Sequence, residues 1–329
     1  MKKIFFNIKT LIILLVIEIN FCKIVQSNSY VIKNPSSPLQ VSIHPDFGNF
    51  VSQIQFESQE ILYSPYYKLN QKVGTKLEGI PLLFPFANRL EKWAIPLKNE
   101  LFPLDPNSLI LKDQSNLPMH GFFYYKTGWK VVDFQNLKEK SFYESVYTSN
   151  SEDEKLFPFS FELKMRIELE GNILHYILWI KNSSSENMPL SVGFHPYFLL
   201  PLDIKSKTKV FTNAKKVYLT NSNLIPNGKL ESSSKILKDE FLSKQFIDHT
   251  FFEFDSKGVV NLYLPDKTLS IILEEGFDHI QIFNPLDKDF ICIEPMLGPI
   301  NSFFTKKNYT LSPSNIWKGV WKLKIDKVK

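Results

Sequence analysis

The chain has 329 residues, 43% hydrophobic and 14% aromatic, enough to bury a large core. Its twelve glycines form no phosphate-cradling motif, which argues against a nucleotide-binding loop. The formal net charge of +5 is concentrated at the start: residues 1–27 hold four lysines and one glutamate, leaving +2 for the remainder, so no nucleic-acid or polyanion surface is implied.

Residues 1–27 read as a secretory signal peptide. Lys2, Lys3 and Lys9 form a basic start, residues 11–17 (LIILLVI) an apolar centre, and Val25 and Ser27 are small enough for a peptidase site. Glu18 and Asn20 interrupt the apolar run, so no full membrane span and no stable membrane insertion after cleavage are expected. The expected protein is residues 28–329, secreted or in the secretory lumen. Cys22 leaves with the leader and Cys292 remains alone, so no disulfide framework forms. Asn182 and Asn308 stand in N-x-S/T triplets as candidate glycan acceptors.

In chain order, residues 39–43 and 51–56 alternate apolar and polar as half-buried strands do, with a turn at residues 45–49. Residues 79–90 carry Pro81 and Pro85, which exclude a helix or a central strand, and end in Asn88-Arg89. The chain has only two arginines, Arg89 and Arg166; a fixed guanidinium fork among apolar neighbours suits an oxygen-rich ligand. His120 precedes Gly121, where a backbone can approach a ligand closely. Residues 128–132 return to strand and residues 150–155 read as a charged loop.

Residues 161–170 (FELKMRIELE) are the clearest strand, with every odd position apolar and every even one charged; this places Arg166 on a solvated face. Gly171-Asn172 turns the chain into a second strand from residue 173, where His175 reads as a packing residue. Residues 191–198 (SVGFHPYF) end this pair, and His195 sits among aromatics on a backbone that Pro196 holds extended. Further strands are expected at 209–212, 216–220, 259–264, 269–274, 279–283 and 290–294, with Asp248 in a loop and Glu294 fixed by Pro295 at a strand end. A carboxylate ending a buried strand needs partners or a function. The fold class is all-β, a large antiparallel β-sandwich in one domain.

Asn88, Arg89, His120, His195, Asp248 and Glu294 form the candidate constellation. No His-x-His or Cys-x-x-Cys spacing supports a metal, and no serine sits in a nucleophile elbow. A glutamate with one or two histidines and no nucleophile suits proton transfer between two oxygens.

Residues 79–90 (GIPLLFPFANRL), 119–122 (MHGF), 193–198 (GFHPYF), Asp248 and residues 293–295 (IEP) resemble the aldose 1-epimerase, or galactose mutarotase, family in order and spacing over nearly all of residues 28–329. The resemblance implies a galactose mutarotase-like supersandwich that interconverts the α and β anomers of a hexose without a cofactor. On that resemblance Glu294 takes the proton of the C1 hydroxyl and His195 protonates the ring oxygen. His120 helps hold that oxygen, Arg89 and Asp248 bind hydroxyls, and Asn88 flanks them. Ala87 stands where many members carry proline, and the paucity of arginine weakens a phosphate clamp. The alternatives are a non-catalytic carbohydrate-binding sandwich and a hexose-6-phosphate 1-epimerase on the same fold.

Overall fold

In a computed structural model, which describes residues 29–65, 78–97, 100–305 and 309–328, the alternating stretch Phe161–Glu170 is a strand over its whole length. Leu163, Met165, Ile167 and Leu169 are buried, and the strand pairs antiparallel with Ile173–Asn182 across the Gly171 turn. Arg166 does not project freely from the other face. It pairs with Glu144 and Glu168 from the neighbouring positions and lies 3.7 Å over the Phe142 ring. The leader, residues 1–27, and Asn308 lie outside the described residues.

These strands belong to an eight-stranded sheet in the spatial order Lys130–Gln135, Lys140–Thr148, Phe161–Glu170, Ile173–Asn182, Ile316–Lys327, Lys267–Glu275, Val259–Tyr263, Lys209–Thr212. A second eight-stranded sheet includes, in spatial order, Pro226–Ser232, Lys216–Thr220, Ile247–Phe252, His279–Asn284, Phe290–Leu297, Val192–Phe194 and Leu82–Leu83. Tyr197–Leu199 also pairs with Phe290–Leu297. The strands in both sheets pair antiparallel, giving the expected all-β sandwich. One apolar core joins the sheets, and Phe194 of the second packs its ring against Tyr176 and Trp321 of the first. Leu82–Leu83 lies at the sheet edge, where the adjacent Pro81 removes no ladder bond.

Four expectations are corrected. Glu294 does not end its strand: Phe290–Leu297 continues through Glu294 and Pro295, with Met296 and Leu297 still paired. Residues 150–155 are not a loop: Ser151–Leu156 is a short helix, with Asn150 and Asp153 forming a reciprocal capping box. Asp248 is not in a loop but within the strand Ile247–Phe252. Asn182 is fully buried, and its amide donates to the carbonyls of Glu186 and Leu311 at 2.7 and 2.8 Å, so the folded chain offers no acceptor for a glycan there.

Ahead of the Glu294 strand, the buried Lys205 amine donates to the carbonyls of Pro285, Lys288 and Phe290 at 2.7, 2.8 and 3.0 Å. Burial lowers its pKa to about 8. These bonds fix the turn between His279–Asn284 and Phe290–Leu297.

Candidate active site

Strand alternation assembles one wall of the site. Ile280, Ile282, Ile291 and Ile293 face the core, so Gln281, Phe283, Cys292 and Glu294 leave the opposite face. The register forms two cross-sheet rows on that face. Asp248 lies opposite Phe283, Phe283 opposite Cys292 and Cys292 opposite Tyr197; in the next row Thr250 lies opposite Gln281 and Gln281 opposite Glu294. Gln281 connects the rows by donating to Asp248 at 2.6 Å while accepting from Thr250 at 2.5 Å. Burial raises the Asp248 carboxyl above its ordinary range, and Arg89 and the Gln281 bond partly offset this.

The facing wall comes from two irregular segments lying side by side. The Leu90 N–H donates to Pro118 O, His120 N–H to Asn88 O and Phe122 N–H to Phe84 O, at 2.9–3.0 Å. Gly121 makes this approach possible: its φ is +63°, and a Cβ there would lie 2.2 Å from the Phe84 oxygen. Asn88 and His120 also have left-handed backbone, with φ of 58° and 65°. Non-glycine residues held in that region are over-determined by their surroundings and cluster at functional sites.

Arg89 is held as well as placed. Its Nε donates to Asp113 at 2.9 Å and its Nη1 to Asn88 Oδ1 at 3.1 Å. The other Asp113 oxygen accepts from the Ser115 and Leu117 amides, which ties the guanidinium to a capped loop. The fork thus has fixed orientation with donors left for a ligand.

At the cleft floor, His195 Nε2 lies 3.2 Å from Glu294 Oε1. The His195 ring stacks on Tyr197 at 4.5 Å and meets His120 edge-on at 5.0 Å. Burial lowers the His195 pKa to about 3, with Arg89 acting in the same direction. Burial, reinforced by the Asp248 charge, raises Glu294 well above the carboxylate range. Of the pair's two groups, Glu294 therefore holds the first proton. His195 Nδ1 and Glu294 Oε2 are buried without a hydrogen-bond partner among the described residues, an arrangement that disfavours a purely structural role.

All six residues singled out from the sequence line one cleft of about 820 Å³. His175, read as a packing residue, is half-buried on the other sheet and does not line it. Gln281, Asp113, Tyr197 and Phe283 also line the cleft and were not singled out. Tyr124 is a further lining residue; its hydroxyl donates to Leu109 O at 2.6 Å and pins the outer rim. The Asp113-Gln114-Ser115 turn chemistry was visible in sequence, but nothing local marks its bond to Arg89.

A family model described as aldose 1-epimerase matches residues 39–324. The chain belongs to the aldose 1-epimerase family. A galactose mutarotase-like protein of Clostridium acetobutylicum is 24% identical and superposes with a TM-score of 0.77, covering 89% of this chain and 94% of that one. A galactose 1-epimerase of Lactobacillus acidophilus, at 15% identity, gives 0.70 over 92% and 95% of the two chains. These similarities establish the family's fold here. A Cenchrus ciliaris protein provisionally named as a glucose-6-phosphate 1-epimerase is 25% identical over 228 residues, 62% of this family member. The match spans 64% of that relative's own length.

Proposed function

We propose that this protein is an aldose 1-epimerase that opens and recloses the ring of a free hexose. The observation carrying this reading is the His195–Glu294 pair, 3.2 Å apart in a cleft whose lining also holds the polar side chains of Asn88, Arg89, His120, Asp248 and Gln281. In the ring-opening step Glu294, as carboxylate, takes the C1 hydroxyl proton while His195, as imidazolium, gives one to the ring oxygen. The products are open-chain aldehyde, neutral carboxyl and neutral imidazole. Rotation about C1–C2 and the reverse transfer then close the ring on the other face. The neutral pair favoured by burial is the state complementary to the open-chain aldehyde, and the charged pair is the state that meets the closed sugar.

A non-catalytic sugar binder has no need of two buried, unpartnered titrating atoms, whose desolvation is unfavourable without compensation. Arg89, Asp248 and neutral His120 supply hydroxyl contacts, with Asn88 supporting Arg89. Polarimetry of freshly dissolved α-glucose and α-galactose tests the reading. The protein should speed the approach to anomeric equilibrium; a folded protein that accelerates neither sugar is not a mutarotase for them.

A hexose 6-phosphate is the second reading, favoured by the Cenchrus ciliaris relative and by Lys112 lining the cleft. Arg89, already held by Asp113, favours the unphosphorylated sugar. Comparing kcat/KM for glucose and glucose 6-phosphate separates the two. Export is proposed from residues 1–27, and a mature amino terminus near Asn28 in secreted material is its expected signature.

A further inference from the structure

Cys292 precedes Glu294 by two residues on one strand, so both side chains leave the same face of the sheet. Its register partner across the ladder is Tyr197, whose ring stacks on His195. This brings together residues that no sequence spacing connects: the ligand atoms of His195, Cys292 and Glu294 all lie within 4.8 Å of one another, and all three residues are buried. A second observation points outward from the cluster. His195 Nδ1 and Glu294 Oε2 have no hydrogen-bond partner among the described residues, so an imidazole and a carboxylate retain lone pairs or protons that those residues do not use.

We propose that the cleft-lining His195 and Glu294, together with the fully buried Cys292, form a Zn²⁺ site whose fourth position opens toward the cleft. One nitrogen, one sulfur and one carboxylate oxygen suit a small, borderline-soft tetrahedral cation, whereas Mg²⁺ and Ca²⁺ require more oxygen ligands. With Zn–S near ~2.3 Å and Zn–N and Zn–O near ~2.1 Å, ligand atoms sit roughly 3.5 Å apart, so a contraction of about 1 Å completes the set. The ion displaces the Cys292 thiol proton and, where present, the Glu294 carboxyl proton; both leave to solvent as the Zn–S and Zn–O bonds form. The site shares His195 and Glu294 with the proposed acid–base pair, so cation and sugar turnover exclude each other. Only that inhibitory consequence rests on the mutarotase reading; cation binding does not.

Titration of the purified full chain with Co²⁺, followed by Zn²⁺ displacement, reads the site without using activity. One equivalent of Co²⁺ should produce a thiolate-to-cobalt charge-transfer band, which Zn²⁺ abolishes. Cys292→Ala should remove the band and weaken Zn²⁺ binding at least ~10-fold, because a protein ligand is lost. Glu294→Gln should weaken Zn²⁺ comparably, with circular dichroism confirming that both variants are folded. Wild-type mutarotation should stop with bound Zn²⁺ and recover with a chelator, whereas Cys292→Ala should resist. Absence of a thiolate band, or unchanged Zn²⁺ affinity in both folded variants, overturns the site. A wild type that shows the band without mutarotating any hexose overturns the proposed function and leaves the cation site standing.

Discussion

Asn88 and His120 hold each other: the His120 N–H donates to the Asn88 carbonyl at 2.9 Å, and the Asn88 N–H donates back to His120 Nδ1 at 3.2 Å. The second bond assigns the imidazole tautomer, because a nitrogen that accepts carries no proton. The proton is therefore on Nε2. Burial, followed by the charges of His195 and Arg89, lowers the pKa well below 6.5 and keeps the ring neutral. Nitrogen-15 NMR should show one neutral Nε2–H tautomer for His120 between pH 8 and pH 5. A titration midpoint near 6.5 would contradict the assignment.

The His195–Glu294 pair predicts a broad pH–rate plateau. The active stoichiometry is one proton on the pair, whichever partner carries it. An unperturbed pair would hold one proton only between about 4.3 and 6.5. Here the His195 limb moves down toward about 3 and the Glu294 limb moves well up. Catalysed mutarotation, corrected for the spontaneous rate, should persist through pH 7. A decline centred near 6.5 counts against the arrangement. Glu294→Gln and His195→Asn should each lower kcat by roughly 10²–10⁴-fold, the usual contribution of general acid–base catalysis, with smaller changes in KM.

The Arg89–Asp113 bond predicts the opposite kinetic split. Asp113→Asn can retain a carbonyl for the Ser115 and Leu117 amides while losing the charged acceptor at Arg89 Nε. KM for the hexose should rise by about 10-fold, in line with losing ~1.4 kcal/mol of ligand orientation, while kcat changes little. Arg89→Ala should raise KM further. An Asp113→Asn enzyme with unchanged KM would show that the anchor does not set substrate contact.

Acid stability follows from the histidines. Burial lowers His44 to about 4 and His195 to about 3, and lowers His120, His175 and His249 below their ordinary value. The unfolded chain binds these protons first, so their stabilising contribution is full above about pH 6.5 and is lost as pH falls toward 4. Asp248 and Glu294, both raised, act in the opposite sense, but five histidines outnumber two carboxyls. The urea midpoint should fall between pH 7 and pH 5, and His44→Gln should flatten the decline. A midpoint that is constant or rises on acidification refutes this balance.

Gly121 carries a steric prediction. A methyl group there would meet both the carbonyl oxygen and carbon of Phe84, at 2.2 and 2.5 Å, in a backbone region that disfavours side chains. Gly121→Ala should destabilise by more than about 2 kcal/mol, readable as a lower thermal midpoint. An unchanged midpoint would mean that the paired segments separate without strain.

Phe161–Glu170 was legible because one face is wet and one dry, giving period-two alternation. Ile247–Phe252 was not, because its cleft face carries Asp248 and Thr250 while His249 interrupts the apolar side. Ser151–Leu156 was hidden by its charges, although the Asn150–Asp153 capping spacing was present. His195, Glu294, His120, Arg89, Asn88 and Asp248 were legible through unusual neighbours and the family resemblance, and they share one cleft. Gln281 and Asp113 were not, because their importance lies in side-chain bonds formed only after distant segments meet. Cys292 looked solitary for the same reason: its neighbourhood is created by strand register.

The Lys205 clasp acts as a length gauge for the chemistry downstream. Ile291 and Ile293 of Phe290–Leu297 enter the core while Glu294, on the opposite face, enters the cleft, so a one-residue slip would drive Glu294 into hydrocarbon and present an isoleucine to the ligand. A two-residue slip would preserve the faces yet set Glu294 opposite a residue other than Gln281. Catalytic competence is thus a parity condition on the Pro285–Asp289 turn, and three carbonyls gripped by one buried amine keep its count fixed. Insertions should be accommodated elsewhere on the rim long before they are accommodated there.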